Sequence, residues 1–228
     1  GQNLLVTGII FPKNYSELEK RKFEAELFFK INDKQTKVPS ELRQAIGVLI
    51  NPYDKISIAK TIMLNLAKAG PLSKHIQETT HEKSKIKVAS LISYVLSPLI
   101  DHQSKSILST NWNNNNKITT QKDLKDYINF CTQKINLFLT PFKIKLGNRW
   151  KKHSKKNSEG ILSTTSVGAF LILFRLLHES NNIIIEENFN DECNKLFNLD
   201  GLNNINFPAY KSSAWNALAE DIKKNILI

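Results

Sequence analysis

The sequence predicts a mainly α fold of the α+β class: a helical body with a short strand at its N-terminal end. Three observations predict it. Apolar residues return every three or four positions through most of the 228 residues, which places them on one face of a helix. Ser, Thr, Asp, Gly and Pro stand where those periodic stretches begin and end. Continuous apolar runs of strand length are few, and no fixed-period repeat is present.

In chain order, residues 4–11 (LLVTGIIF) read as a buried strand ended by Pro12, because apolar residues continue on both faces. A lone strand has no neighbour to pair with, which places the sheet it belongs to upstream. Ser16 and Glu19 have the S-x-x-E spacing of a capping box, so a helix begins near Glu17. Phe23, Leu27 and Ile31 lie four apart on its inner face, with Phe28 beside them. Asn32-Asp33 stop it, since both tolerate a left-handed backbone. Lys34, Gln35 and Lys37 follow on an exposed turn, and Pro39-Ser40 opens the next helix. A helix-turn-helix of pure scaffold is the simplest account of this stretch.

Residues 40–50 make a short helix closed by Asn51-Pro52. Asp54 caps the next, whose stripe is Ala59, Ile62, Met63 and Leu66, and Gly70-Pro71 ends it. Residues 72–83 read as a loop and 86–88 as a brief strand. Residues 89–100, apolar at 91, 92, 95, 96 and 99, predict a helix. Residues 101–117 are a polar loop with an asparagine run, 113–116, at its tip. That loop is the candidate boundary between a domain over 1–110 and a helical domain over 111–228.

Thr120 and Asp123 open the longest helix, which buries Leu124, Ile128, Cys131, Ile135 and Phe138 or Leu139, and Pro141 stops it. Residues 166–180 are a strongly apolar helix at the centre of the core, followed by the β-branched run Ile183-Ile184-Ile185. Residues 187–199 are helical and Gly201 closes them. Ser213 caps a last helix with Trp215, Leu218, Ala219 and Ile222 on one side.

A hydrophobic share of 41% supports a packed core and excludes global disorder. No run approaches the ~20 apolar residues of a membrane span, and no signal peptide opens the chain. No membrane partner is therefore expected. Cys131 and Cys193, far apart, read as small buried apolar residues and fit a reducing cytoplasm. The net charge of +11 favours a polyanionic partner, although a Lys- and Asn-rich chain also follows from AT-rich coding.

The segment AELFFKINDKQTKVPSEL resembles the LFxxINxxQxxV signature of the DGQHR-domain family, DndB-like and ParB-related proteins of bacterial DNA phosphorothioation systems. A second segment, from Gly160 through Ser163-Thr164-Thr165 to Phe170, is similar to the later giLxTTxGixAl segment of that family. A third, Tyr210 to Trp215, stands near the end, so the resemblance spans most of the chain. The pentapeptide Asp-Gly-Gln-His-Arg that names the family is missing or truncated, with only Gly1-Gln2-Asn3 in its place. The resemblance implies that the N-terminal strand belongs to a ParB-like sheet, with residues 1–110 the remnant of that domain. It implies a role in a DNA-modification or defence system, as a transcriptional repressor or accessory factor beside other proteins of the system.

Charge concentrates in residues 143–156. Lys143, Lys145, Arg149, Lys151, Lys152, Lys155 and Lys156 carry seven positive charges there with no acidic residue, and Trp150 and His153 are interleaved. Lysine and arginine contacts to phosphate supply most sequence-independent affinity for nucleic acid. Trp150 is a candidate to stack on a base; the alternative is a solvated basic loop whose Trp packs on the domain. Lys34, Gln35 and Lys37 are further candidates to reach phosphate or base edges, while Asn32 is expected to hold its turn to a neighbouring backbone. Catalytic signatures are thin. His75, His81, His102, His153 and His178 show no metal-ligand spacing, and no Walker A, G-x-S-x-G or G-x-G-x-x-G motif occurs. No catalytic residue, metal or cofactor is expected. The leading expectation is a cytoplasmic regulator that binds double-stranded DNA. A ParB-like nucleotide-binding or hydrolysing enzyme and a module for an acidic protein partner are the alternatives.

Overall fold

The computed structural model describes residues 8–32, 38–79, 81–82, 84–112, 117–154, 158–181, 185–208 and 214–227. These residues are mainly helical. Along the chain run α1 (Glu17–Asn32), α2 (Ser40–Ile50), α3 (Lys55–Lys68), α4 (Ala89–Leu91), a π turn (Ile92–Leu96), α5 (Ser97–Ile100) and α6 (Ile107–Asn111). Then follow α7 (Gln121–Leu146), α8 (Thr164–Asn181), α9 (Phe189–Leu196) and α10 (Trp215–Ile226), with 3-10 turns at Gly147–Arg149 and Leu199–Asn204.

Helix α8 is the axis of the core. Val167, Ala169, Phe170, Leu171 and Leu173 are at most 1% exposed, and residues 164–174 are buried throughout, so this part of the helix is wrapped on every side. Helix α10 packs along it, and α4 with the π turn covers a second side. Helix α7 contributes a row of aromatics: Phe138 stacks on Phe174 with centroids 4.8 Å apart, and Phe142 meets Phe170 at 5.2 Å. Helix α3 packs on α7 and buries the predicted stripe of Ala59, Ile62, Met63 and Leu66. One hydrophobic cluster runs from Ile58 to Ile226, across the boundary expected near residue 110.

The capping chemistry is as read. Ser16 Oγ accepts from Glu19 N, and Glu19 Oε2 accepts from Ser16 N at 2.7 Å. Asp54 accepts from Ile56 N, and Thr120 and Asp123 cap α7 reciprocally. Asn32 is the last residue of α1 and its amide donates to Phe28 O at 2.8 Å, the backbone-holding role expected of it. Its own φ is not left-handed, and Asp33 lies outside the described residues, as does Ser213.

Several expectations are corrected. Among the described residues there is no sheet, only isolated bridges such as Ile76 to Ile86 and Lys152 to Leu162. The described part of the expected N-terminal strand is not a strand, and Ile10 is 96% exposed. Residues 86–88 contribute a bridge rather than a strand, because the partner segment is a turn. The expected inner face of α1 is not buried: Phe23, Phe28 and Ile31 are all more than a third exposed, and the helix has no buried residue. Pro141 does not stop α7, which runs on to Leu146. A proline inside a helix costs about 3 kcal/mol, but Phe142 and Leu146 continue the stripe of Ile135 and Phe138 into the core. The helix ends instead at Gly147, whose φ of +49° suits a residue without a side chain. The polar loop after residue 101 contains α6, pinned by buried Leu108, and Trp112 packs edge-on against Tyr127 at 5.0 Å.

Cys131 and Cys193 are free and fully buried. Burial pushes both thiols up, Cys193 to about 12. The native chain is expected to release essentially no thiolate to Ellman's reagent at neutral pH until denaturant is added. A thiol that reacts at once in the native protein would contradict this packing.

Candidate nucleic-acid interface

The described part of the basic segment, residues 143–154, does not lie on the molecule as one ribbon. Lys143 and Lys145 are helical, in the last turn of α7, where their charge suits the negative end of the helix. The Lys145 ammonium pairs with the Asp200 carboxylate, and Arg149 Nη1 reaches Asn203 Oδ1 at 3.4 Å. Trp150 is only 5% exposed. Its indole N–H donates to Pro71 O at 2.8 Å and its ring lies 5.5 Å from Phe170. The expectation that it stacks on a base is therefore corrected: the indole is a core side chain, because an apolar ring finds more to bury than to expose.

After Trp150 the chain forms a strap against residues 160–162. Ile161 N donates to Arg149 O, Leu162 N to Lys151 O and His153 N to Leu162 O, each at 2.9–3.0 Å. Half-buried Lys151 lies on this strap. Lys152 reaches back from it and donates to the carbonyls of Ser84 (2.5 Å) and Lys85 (3.1 Å). His153 Nδ1 donates to Gly160 O at 2.9 Å. Lys155, Lys156, Lys34, Gln35 and Lys37 lie outside the described residues.

The strap forms one wall of a cleft of about 580 Å³. Helix α2 enters the cleft with Ser40 and Glu41, α4 with Ala89 and Ser90, and α8 with Ser163 and Thr164. Three helix starts thus meet at one opening. Each brings backbone N–H groups and the positive end of a helix. Lys85 and Lys87 line it from the loop before α4, and Lys152 and His153 from the strap. Tyr94, in the π turn, stands on the rim at 75% exposure.

Local chemistry holds these pieces in place. Ser163 Oγ accepts from Ser166 N while Ser166 Oγ accepts from Ser163 N, a reciprocal cap built from two serines. Thr164 Oγ1 donates to Lys87 O at 3.0 Å and ties the start of α8 to the lysine loop. Buried Gln44 donates to Ala89 O and Ser93 Oγ and braces the π turn. In that turn Ser97 N reaches Ile92 O, one residue further back than in an α-helix, and Pro98 follows without an N–H to give. Such turns recur at functional sites.

The cleft is positive. Lys87 is exposed and forms no ion pair with a described residue. Lys152 is bonded to neutral carbonyls and forms no ion pair with a described residue. Lys85 is paired with Glu82 at 2.6 Å, and that ammonium together with the Glu78 backbone holds the Glu82 carboxyl down at about 2. Glu41 is the carboxylate among the lining residues.

Sequence reasoning brought Lys152 and His153 to this site and missed Lys85, Lys87 and Tyr94. The signal for the lysines is the alternation Lys83-Ser84-Lys85-Ile86-Lys87, which was read only for its apolar residues. Among the described residues no helix is long and apolar enough to cross a membrane. Compared with protein-family models, curated proteins and solved structures, the chain finds no match.

Proposed function

We propose that this chain is a DNA-binding regulatory or accessory protein that grips the phosphates of double-stranded DNA in the cleft between α2, α4 and α8. The observation that carries the reading is the meeting of three helix N-termini with Lys85, Lys87 and Lys152 at one opening. Helix starts and ammonium groups are both suited to phosphate, and an exposed tyrosine on the rim offers a sugar or base a face to lie on. The assignment to a bacterial DNA-modification or defence system, beside other proteins of that system, rests on the motif resemblance alone.

Titrating the chain into a labelled duplex at several salt concentrations tests the reading. Affinity is expected to fall with salt, with a slope of roughly 0.9 for each phosphate neutralised. Lys87→Ala combined with Lys152→Gln, which keeps a donor for the two carbonyls, is expected to make the slope about two units shallower and to weaken low-salt binding by about tenfold or more. Lys143→Ala with Lys145→Ala, at the far end of the basic segment, is expected to change both less. The reverse ranking would move the interface from the cleft to the end of α7, and no binding at low salt would remove the reading altogether.

A further inference from the structure

Behind the cleft lies a second cavity of about 470 Å³, and Glu41 and Ala89 line both. Its walls are apolar at Leu42, Ala45 and Val88. Into it come Lys60 from α3 and Gln77 from the loop after it, each only 7% exposed. Among the described residues neither side chain has a hydrogen-bond or ion-pair partner. Beside them the buried Gln44 Oε1 is also without a partner. Buried polar groups are normally satisfied, and of the polar atoms here Gln44 Oε1 is fully buried and unpaired, while Lys60 and Gln77 line the cavity without a bonded partner. Two unpartnered side chains lining one cavity, with a third orphaned atom in its wall, therefore mark a place for a ligand.

The donor set selects the ligand. An ammonium and an amide N–H ask for acceptors, while two amide oxygens ask for donors. A cation is opposed by Lys60, and an anion by Glu41, by Glu78, which is paired with Lys85 at 3.7 Å, and by the amide oxygens. A flat neutral ring with both donors and acceptors on its edge answers all of them, and the apolar walls suit its faces. The volume falls in the ~300–1,000 Å³ range of small-ligand pockets. We infer that this cavity receives one unpaired base of the DNA strand whose phosphates occupy the cleft. The inference rests on the DNA reading above, and adds that the protein reads a base taken out of the stack. Burial lowers the Lys60 pKa and Glu41 opposes that shift; the amine carries N–H donors in either protonation state.

A duplex carrying 2-aminopurine opposite a mismatch tests this, because its fluorescence rises when the base leaves the stack. With the full chain the fluorescence is expected to rise about threefold or more on binding, as extrusion into a pocket requires. Lys60→Met and, separately, Gln77→Met are expected to remove at least about half of that rise while duplex affinity changes by no more than about threefold. Lys60→Met is expected to melt no lower than the parent, since it exchanges a partly desolvated ammonium for an apolar side chain of similar length, so loss of the signal is not loss of the fold. Bound duplex without a rise overturns the base inference and leaves the cleft intact. A rise that survives both substitutions overturns it too. Equal occupation by free 2-aminopurine riboside, with no rise from the duplex, makes the source a free nucleoside and overturns the strand-borne base. Failure of the parent chain to retain any duplex overturns the cleft and, with it, this inference.

Discussion

Trp150→Ala is expected to cost about 3–5 kcal/mol of stability, the range for deleting a buried aromatic. The indole is 5% exposed, packs against Phe170 and donates to Pro71 O. Its removal leaves a void beside α8 and orphans a carbonyl, which adds to the loss. Since a domain holds only about 5–15 kcal/mol in total, the midpoint of denaturant unfolding should fall by a large fraction. Trp150→Phe separates the two contributions: the ring contact survives and the donor goes, for about 1 kcal/mol. Neither change should act on DNA except through the fold. A Trp150→Phe protein with an unaltered midpoint and a large loss of duplex affinity would show that the indole meets the ligand after all.

Trp150 also shows where reading from sequence stops. The helices were legible because a helix face is set by neighbours three and four positions away, all visible locally. The stripes of α3, α7 and α10 are buried as their periodicity says. What local pattern cannot say is what lies opposite. The stripe of Phe23, Leu27 and Ile31 is as regular as the others, yet α1 has no buried residue among those described. Pro141 obeys a local rule that Phe142 and Leu146 overrule by filling the core. The charge of residues 143–156 was visible, but its partners were not. Asp200 and the Ser84 and Lys85 carbonyls are some 55 to 68 positions away, and they decide that the segment is tied down in two places. The cleft was hidden for the same reason. Thr164 joins the Lys87 carbonyl across 77 positions, and only the folded chain puts three helix starts at one mouth.

Gly160→Ala is expected to damage the fold and the cleft together. A Cβ at residue 160 would sit 2.6 Å from Lys152 O, 2.7 Å from Lys151 O and 2.9 Å from Lys152 C. These are backbone atoms, so no side-chain rotation relieves the contact, and the strap has to move away by several tenths of an ångström. Overpacking of this kind costs about 3 kcal/mol, the upper part of its usual range. For a chain of this size that corresponds to a melting point lower by roughly 6–12 °C. The same displacement stretches the bond from His153 Nδ1 to Gly160 O and shifts Lys152 from the carbonyls that aim it. Duplex affinity should therefore fall in Gly160→Ala even well below its melting point. Lys152→Gln is expected to lose affinity without the fall in melting temperature. If Gly160→Ala melts like the parent, the strap is free to slide, and Lys152 and His153 are not held against the cleft by it. If it melts early but binds DNA unchanged, the strap serves only the core, and the lysines before α4 carry the phosphate contacts on their own.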